Sequence, residues 1–175
     1  MKFVYEKQDI DSRQRAEETC WLLANGLGGF ASTSAAFSVT RNDQGLLIAA
    51  KTPNQRFNLV HRLSETLAVG EKTVFLSTQT FGDGAPPEDG WRYLASFVWE
   101  DGPCWLYEVG GVRVTRKCAM EYGVNTSAVV YTVENRSETV AEDWLESTSL
   151  PVIQVDGTKP VAYNVEEIMR QGGRA

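Results

Sequence analysis

The sequence has little of what metal, redox and membrane proteins require. Its 175 residues include one histidine and three cysteines. Cys20, Cys104 and Cys118 form no CxxC pair, and with His61 as the single imidazole no zinc set or Cys-His-Asn constellation can be assembled. The odd cysteine count fits reduced thiols, so the expectation is a cytoplasmic chain with no metal and no cofactor. No stretch approaches the ~18 consecutive apolar residues of a membrane helix. The opening Met1-Lys2-Phe3-Val4-Tyr5-Glu6-Lys7 holds no apolar run of signal-sequence length. Positive charge is in deficit, with 17 Lys and Arg against 23 Asp and Glu and a net charge of -6. Nucleic-acid affinity is mostly cation-driven, so this balance argues against a phosphate-backbone partner. At 42% hydrophobic and 23% charged the composition is that of an ordinary globular domain, which excludes disordered, collagen-like and coiled-coil chains. A single domain spanning 1–175 is long enough to bury a core without disulfides.

What is present is period-two alternation punctuated by turn residues. Leu67 and Val69 lead into Gly70-Glu71, and Val74 and Leu76 return. Tyr93, Ala95, Phe97 and Trp99 alternate up to Asp101-Gly102. Trp105, Tyr107 and Val109 run into Gly110-Gly111, and Val112, Val114 and Arg116 follow. A turn only two residues wide needs positive φ, which glycine reaches without a Cβ clash. After Gly123-Val124-Asn125 comes a β-branched, aromatic run from Ser127 to Val133. Such alternation buries one face and wets the other, so the expected fold is an all-β antiparallel sandwich. Helix candidates are few: Asp11 to Thr19, Thr33 to Phe37 and Val165 to Gln171. The segment 82–90, with Gly82, Gly84, Pro86, Pro87 and Gly90, reads as a loop.

The sharpest local feature is Asn25-Gly26-Leu27-Gly28-Gly29-Phe30-Ala31, which formally satisfies GxGxxA after the apolar run Trp21 to Ala24. A dinucleotide site would use those glycines for close backbone approach to a pyrophosphate. Its context differs: the next strand, Leu46 to Ala50, ends at Lys51-Thr52 rather than at an acid, and hairpins follow instead of βαβ units. A glycine-rich turn where strands cross closely is the better reading. Thr40-Arg41-Asn42-Asp43-Gln44-Gly45 is a polar turn in which Arg41 could offer a planar donor fork to a carboxylate or to vicinal hydroxyls. The plainer account is a solvated turn closed by Asn42-Asp43 and Gly45. The carboxylate pairs Glu17-Glu18, Glu88-Asp89, Glu142-Asp143 and Glu166-Glu167 read as wet surface, since neighbours on a strand point to opposite faces and cannot flank one glycosidic bond. Trp91, at the edge of the Pro/Gly loop, is the aromatic placed to stack on a sugar ring, whereas Trp99 and Trp105 read as core. His61 reads as an ordinary polar position.

Several spaced blocks together resemble the N-terminal domain of bacterial and archaeal glycogen debranching enzymes. They begin with Trp21-Leu22-Leu23-Ala24-Asn25-Gly26-Leu27-Gly28-Gly29-Phe30 and continue with Thr40-Arg41 and Gly45-Leu46-Leu47-Ile48-Ala49-Ala50. Leu63-x-Glu65-Thr66, Tyr93-Leu94-x-x-Phe97 and Trp105-x-Tyr107-x-Val109-Gly110-Gly111-Val112 come next. Met120 and Asn125-Thr126 close the series, so the resemblance covers about residues 18–135 and leaves 136–175 unassigned.

The resemblance implies a supersandwich-type domain that precedes an (α/α)6 barrel hydrolysing α-1,6-glucosidic branch points. The barrel would carry the catalytic carboxylates, so no catalytic residue is assigned here. Partners would be that barrel and an α-glucan. Asn25, Gly26, Gly28 and Gly29 would form the turn facing them, Arg41 a hydrogen-bonding fork and Trp91 a stacking surface. One departure stands out: the family's Arg-Tyr-His after Thr-Arg is here Asn42-Asp43-Gln44. The expectation is either that the chain continues past Ala175 into a barrel or that it is a short relative without one. The alternative is a free-standing sandwich module that self-associates as a homodimer through open strand edges.

Overall fold

The computed structural model describes residues 2–82 and 84–137 and the backbone of one further strand, Ala141–Glu146. In chain order the strands are β1 (Phe3–Glu6), β2 (Leu23–Ala24), β3 (Phe30–Ser32), β4 (Gly45–Thr52), β5 (Gln55–Val60), β6 (Ser64–Val69) and β7 (Lys72–Phe75). They continue with β8 (Thr78–Gln79), β9 (Glu88–Asp89), β10 (Leu94–Trp99), β11 (Pro103–Val109), β12 (Val112–Met120), β13 (Ser127–Asn135) and β14 (Ala141–Glu146). One helix, α1 (Arg13–Glu18), and one 3-10 turn (Gly90–Tyr93) complete the described elements. Ser12 caps α1 by accepting from the Arg15 N–H.

A five-stranded sheet in the order β1-β10-β11-β12-β13 forms one layer. Facing it are the sheets β2-β3-β4-β5 and β14-β6-β7, with β8 and β9 as a small pair beside them. Each strand pairing is antiparallel, so the chain is the all-β sandwich that its alternation implies. The expected hairpins occur, including the two-residue turn in which Gly110 and Gly111 take φ of 54° and 84°. In β11 the row Trp105, Tyr107, Val109 is buried, and in β12 the row Val112, Val114, Arg116, Cys118. Trp105 is the centre of the core. Its ring meets Trp21 and Phe37 edge-on at centroid distances of 5.6 and 5.3 Å and Phe97 at 5.2 Å. Its indole N–H donates to the Ala35 carbonyl at 2.8 Å, so the large ring is buried without stranding a donor.

Differences from the sequence reading have local causes. Residues 33–37 are turn rather than helix, and Phe37 sits at φ 55° with its ring under the Arg116 guanidinium, 3.4 Å from the carbon. Trp99 is half-buried rather than a core residue. The segment 82–90 contains a strand, and Glu88 is a buried side chain rather than wet surface. Strand β14, beyond the stretch that the resemblance covers, pairs with β6 in register Ala141 to Val69. The helix expected over Val165 to Gln171 and the Glu166-Glu167 pair lie outside the described residues.

Two buried carboxylates anchor the packing, one of them across the layers. Arg116 of β12 bonds Glu65 of β6 across the sandwich, and Tyr131 donates to the same carboxylate. Tyr107 sits on the guanidinium's other side, and the rings of Phe37, Trp105 and Tyr107 surround it. Burial, joined by the Glu65 charge, holds both tyrosine hydroxyls well above their ordinary pKa, with Arg116 pulling the other way. Glu88 accepts both guanidinium nitrogens of Arg62 at 2.8 and 3.0 Å, together with the hydroxyls of Ser64 and Ser77. Burial alone would raise its pKa, but the bonds from Arg62, Ser64 and Ser77 hold it below the ordinary 4.5.

Breaking a buried pair leaves an uncompensated charge, so Glu65→Ala is expected to cost about 3–5 kcal/mol in urea unfolding. The double change Glu65→Leu, Arg116→Met should cost less than Glu65→Ala alone. Glu88 has a lowered folded pKa, so its contribution is present above the unfolded value and fades as pH falls through the folded one. Glu88→Gln should therefore destabilise the domain at neutral pH and flatten its acid-unfolding profile below pH 4.5.

Candidate functional site

The glycine corner joins antiparallel strands β2 and β3, and no helix follows it. That geometry overturns the dinucleotide reading, which needs the glycines to open a helix beneath a parallel sheet. Instead, the corner is organised by the buried Asn25. Its Oδ1 accepts the N–H groups of Leu27 and Gly29 at 2.9 and 3.0 Å. Its Nδ2 donates to the Val124 carbonyl and to Asn125 Oδ1 at 2.9 and 3.0 Å. Asn125 in turn spans the Ala50 backbone, accepting from its N–H and donating to its carbonyl, both at 2.9 Å. The corner is thus riveted to the β12–β13 loop and to β4 by two amides. A Cβ on Gly29 would lie 2.7 Å from Asn25 Nδ2 and 2.9 Å from the Ile48 carbonyl, so this network admits only glycine. The ring of Tyr122 lies against Gly26 and is 82% exposed, with Leu27 and Val124 also exposed around it.

The polar turn after Thr40 is closed by Gln44, not by Asn42-Asp43. Gln44 is buried, and its Oε1 accepts the backbone N–H groups of Thr40 and Arg41 at 2.7 and 3.1 Å. Its Nε2 points at Cys20 Sγ, 3.4 Å away. The amide therefore fixes the turn from inside and leaves Arg41 and Asp43 outside. Neither side chain has a hydrogen bond or ion pair among the described residues.

These two loops border one cleft of about 550 Å³, whose lining includes Gly28, Gly29, Phe30, Arg41, Asp43 and Arg56. Of the sequence candidates, Gly28, Gly29 and Arg41 come together here, while Asn25 and Gly26 support the corner from behind. Trp91 lies elsewhere, in the 3-10 turn, half-buried beneath the Arg92 guanidinium at 4.9 Å. Arg56 and Phe30 escape the sequence reading; the Arg56 guanidinium sits 5.5 Å over the Phe30 ring. The signal for it is the alternation of polar Arg56 and Asn58 with apolar Phe57 and Leu59 in β5.

The cleft thus presents two guanidinium groups, the Phe30 ring beneath one of them and one carboxylate, Asp43. Burial pushes the Cys118 thiol up to about 12 and raises that of Cys104 as well, which keeps both protonated and unreactive near neutral pH. Among the described residues no cluster of His, Cys, Asp and Glu could hold a metal ion, and no helix is long and apolar enough to cross a membrane.

By class, this is an antiparallel β-sandwich domain with a loop-built polar cleft on one flank. Residues 19–141 match the family described as glycogen debranching enzyme N terminal, and the chain belongs to that family. No curated protein and no solved structure matches it.

Asn25→Ala would leave the buried Gly29 N–H without its acceptor, so a loss of at least ~2 kcal/mol in thermal or urea unfolding is expected. Asn125→Ala acts on the same network. The pair should be non-additive by at least ~0.5 kcal/mol in a double-mutant cycle, and simple additivity would mean that the two amides do not act together.

Proposed function

We propose that this domain is a non-catalytic N-terminal partner of an α-1,6-glucosidase's catalytic domain and helps to shape its glucan-binding cleft. The observation that carries the reading is that Arg41, Gly28 and Gly29, all within the family match, line a single cleft. Glycoside hydrolysis needs two carboxyl groups across ~5–10 Å. Among the described residues the cleft offers one carboxyl group, Asp43, while Glu65 and Glu88 are buried and bonded to arginines. The work of this cleft is therefore to hold, not to cut. Arg41 and Arg56 serve as hydrogen-bond forks to sugar hydroxyls, and Phe30 gives the floor an apolar face. The corner meets the catalytic barrel through Leu27, Tyr122 and Val124, whose apolar surface surrounds the buttressed turn. Trp91 adds a stacking face away from the cleft. The three free thiols fit a cytoplasmic setting.

Titration with maltooligosaccharides, followed by tryptophan fluorescence, tests the binding role. Saturable binding is expected at millimolar sugar, and Arg41→Ala should weaken it roughly tenfold, the loss of one bidentate charged contact. No response from the intact chain would leave the domain a purely structural partner.

One observation favours the second reading, a self-associating module. Strand β5 is an edge of its sheet among the described residues and shows Phe57 and Leu59 at 54% and 62% exposure. A dimer by gel filtration that Phe57→Lys dissolves would support it.

A further inference from the structure

We propose that Asn25 is a latent self-modification site: when the glycine corner opens, the Gly26 nitrogen displaces ammonia from the Asn25 amide, and the acid that results unlatches the corner permanently. The inference does not depend on what the cleft binds.

The chain has a single Asn-Gly step, Asn25-Gly26. The amide carbon of an asparagine lies within reach of the next residue's backbone nitrogen, and a glycine there has no Cβ to shield that nitrogen. Attack forms a bond from the Gly26 nitrogen to Asn25 Cγ and breaks the bond from Cγ to Nδ2. The attacking nitrogen gives up its proton, Nδ2 leaves as ammonia, and a cyclic imide closes. Water then opens the imide at either carbonyl. Opening at Cγ gives aspartate. Opening at the main-chain carbonyl gives isoaspartate, in which the backbone runs through the former side chain. Water is the one co-reactant, and nothing is oxidised or reduced.

The closed corner withholds the geometry that this step needs. Asn25 is fully buried, and its side-chain amide is held by Leu27, Gly29, Val124 and Asn125. Its main chain is held as well: the N–H donates to the Gly29 carbonyl at 3.0 Å, and the carbonyl accepts from the Gly123 N–H at 2.7 Å. The ring of Tyr122 covers Gly26. Swinging Cγ onto the Gly26 nitrogen means giving up the side-chain bonds, and attack requires the two atoms in near contact and aligned. The reaction therefore proceeds from the open corner, at a rate set by how often it opens.

The two sides of the amide play different parts. The N–H groups of Leu27 and Gly29 belong to the same turn as Asn25, and they polarise the γ-carbonyl toward attack. Val124 and Asn125 hold the leaving nitrogen from a loop 99 and 100 residues away. That loop, between β12 and β13, is the latch. The product cannot restore it. An aspartate still accepts from Leu27 and Gly29 but turns an acceptor toward the Val124 carbonyl and Asn125 Oδ1. Asn125 cannot offer its NH2 instead without reversing both of its bonds to Ala50. Isoaspartate also lengthens the backbone beside Gly28 and Gly29, which line the cleft.

Peptide mass mapping of the 175-residue chain at mildly alkaline pH reads the exchange of ammonia for water at Asn25 over time. Conversion in the folded chain should be at least about a hundredfold slower than in urea, because opening breaks four buried side-chain bonds. Asn125→Ala, which removes one partner of the latch, should raise the folded-state rate about tenfold. Tyr122→Ala, at an exposed ring, leaves the core untouched and should also raise it, with circular dichroism confirming that both variants are folded. Asn25→Asp, standing for the aspartyl product, should melt about 5 °C lower than the original. Conversion as fast in the folded chain as in urea, no conversion in urea, rates unchanged in both variants, or an Asn25→Asp chain of undiminished stability overturns the proposal.

Discussion

The sandwich depends on a charge that it would ordinarily exclude. Arg116 lies on the inward row of β12, between Val114 and Cys118, and is fully buried with Glu65 of the facing layer. Desolvating a guanidinium and a carboxylate costs several kcal/mol each, which their mutual attraction offsets only when the remaining donors and acceptors also find partners. Tyr131 meets the carboxylate and Tyr107 the guanidinium, and three aromatic faces pack against the cation. The strand register makes this possible: Arg116 stands opposite Trp105 on one side and Tyr131 on the other. A slip by one residue in β12 would turn Arg116 out of the core and away from Glu65, Tyr107 and the ring of Phe37. The pair therefore specifies alignment more than it adds stability. It also accounts for the left-handed Phe37, whose ring must lie under the guanidinium while its backbone closes the turn after Ser34.

The same principle operates with neutral groups at the glycine corner. Asn25 and Asn125 are amides that satisfy backbone donors and acceptors from three separate segments, and buried polar groups are tolerable only when so completed. Gln44 does likewise for the turn that carries Arg41. Where the family resemblance leads one to expect a cationic, aromatic, imidazole-bearing stretch, this chain has replaced the last place by a residue that works inwards. With the turn held from inside by Gln44, Arg41 and Asp43 are the charged groups it shows to the cleft.

How much of this was legible in the sequence follows from range. Hairpins such as β11–β12 are local events, set by alternation and by Gly110-Gly111, and they could be read directly. The side of β12 on which Arg116 falls was equally readable from its spacing with Val112 and Val114. Its partner was not, because Glu65 is 51 residues away and only the packing of two sheets brings them together. Glu88 looked like wet surface for the same reason: Arg62, Ser64 and Ser77 converge on it from other strands. The corner's glycines were visible, yet the full cause of Gly29 was not, since besides Asn25 its missing Cβ makes room for the Ile48 carbonyl and for the Asn125 amide of a distant loop. Arg41 was legible as a candidate because a turn exposes it. Arg56 was not, because only the sheet order places it, across β4, over the ring of Phe30.

These constraints bear on what the cleft can do. The loops that form it are each pinned by a buried amide, so the backbone around Gly28, Gly29 and Arg41 is fixed before any ligand arrives. A site already ordered spends little of its interaction energy on arranging itself. Meanwhile, the deeply buried carboxylates are consumed by Arg116 and Arg62, which leaves Arg41 and Arg56 with only Asp43 among the cleft's charged groups. In a chain of net charge -6, two arginines held without carboxylate partners at one cleft are not an accident of overall charge. The core's sequestration of Glu65 and Glu88 and the cleft's presentation of Arg41 and Arg56 are two sides of one arrangement.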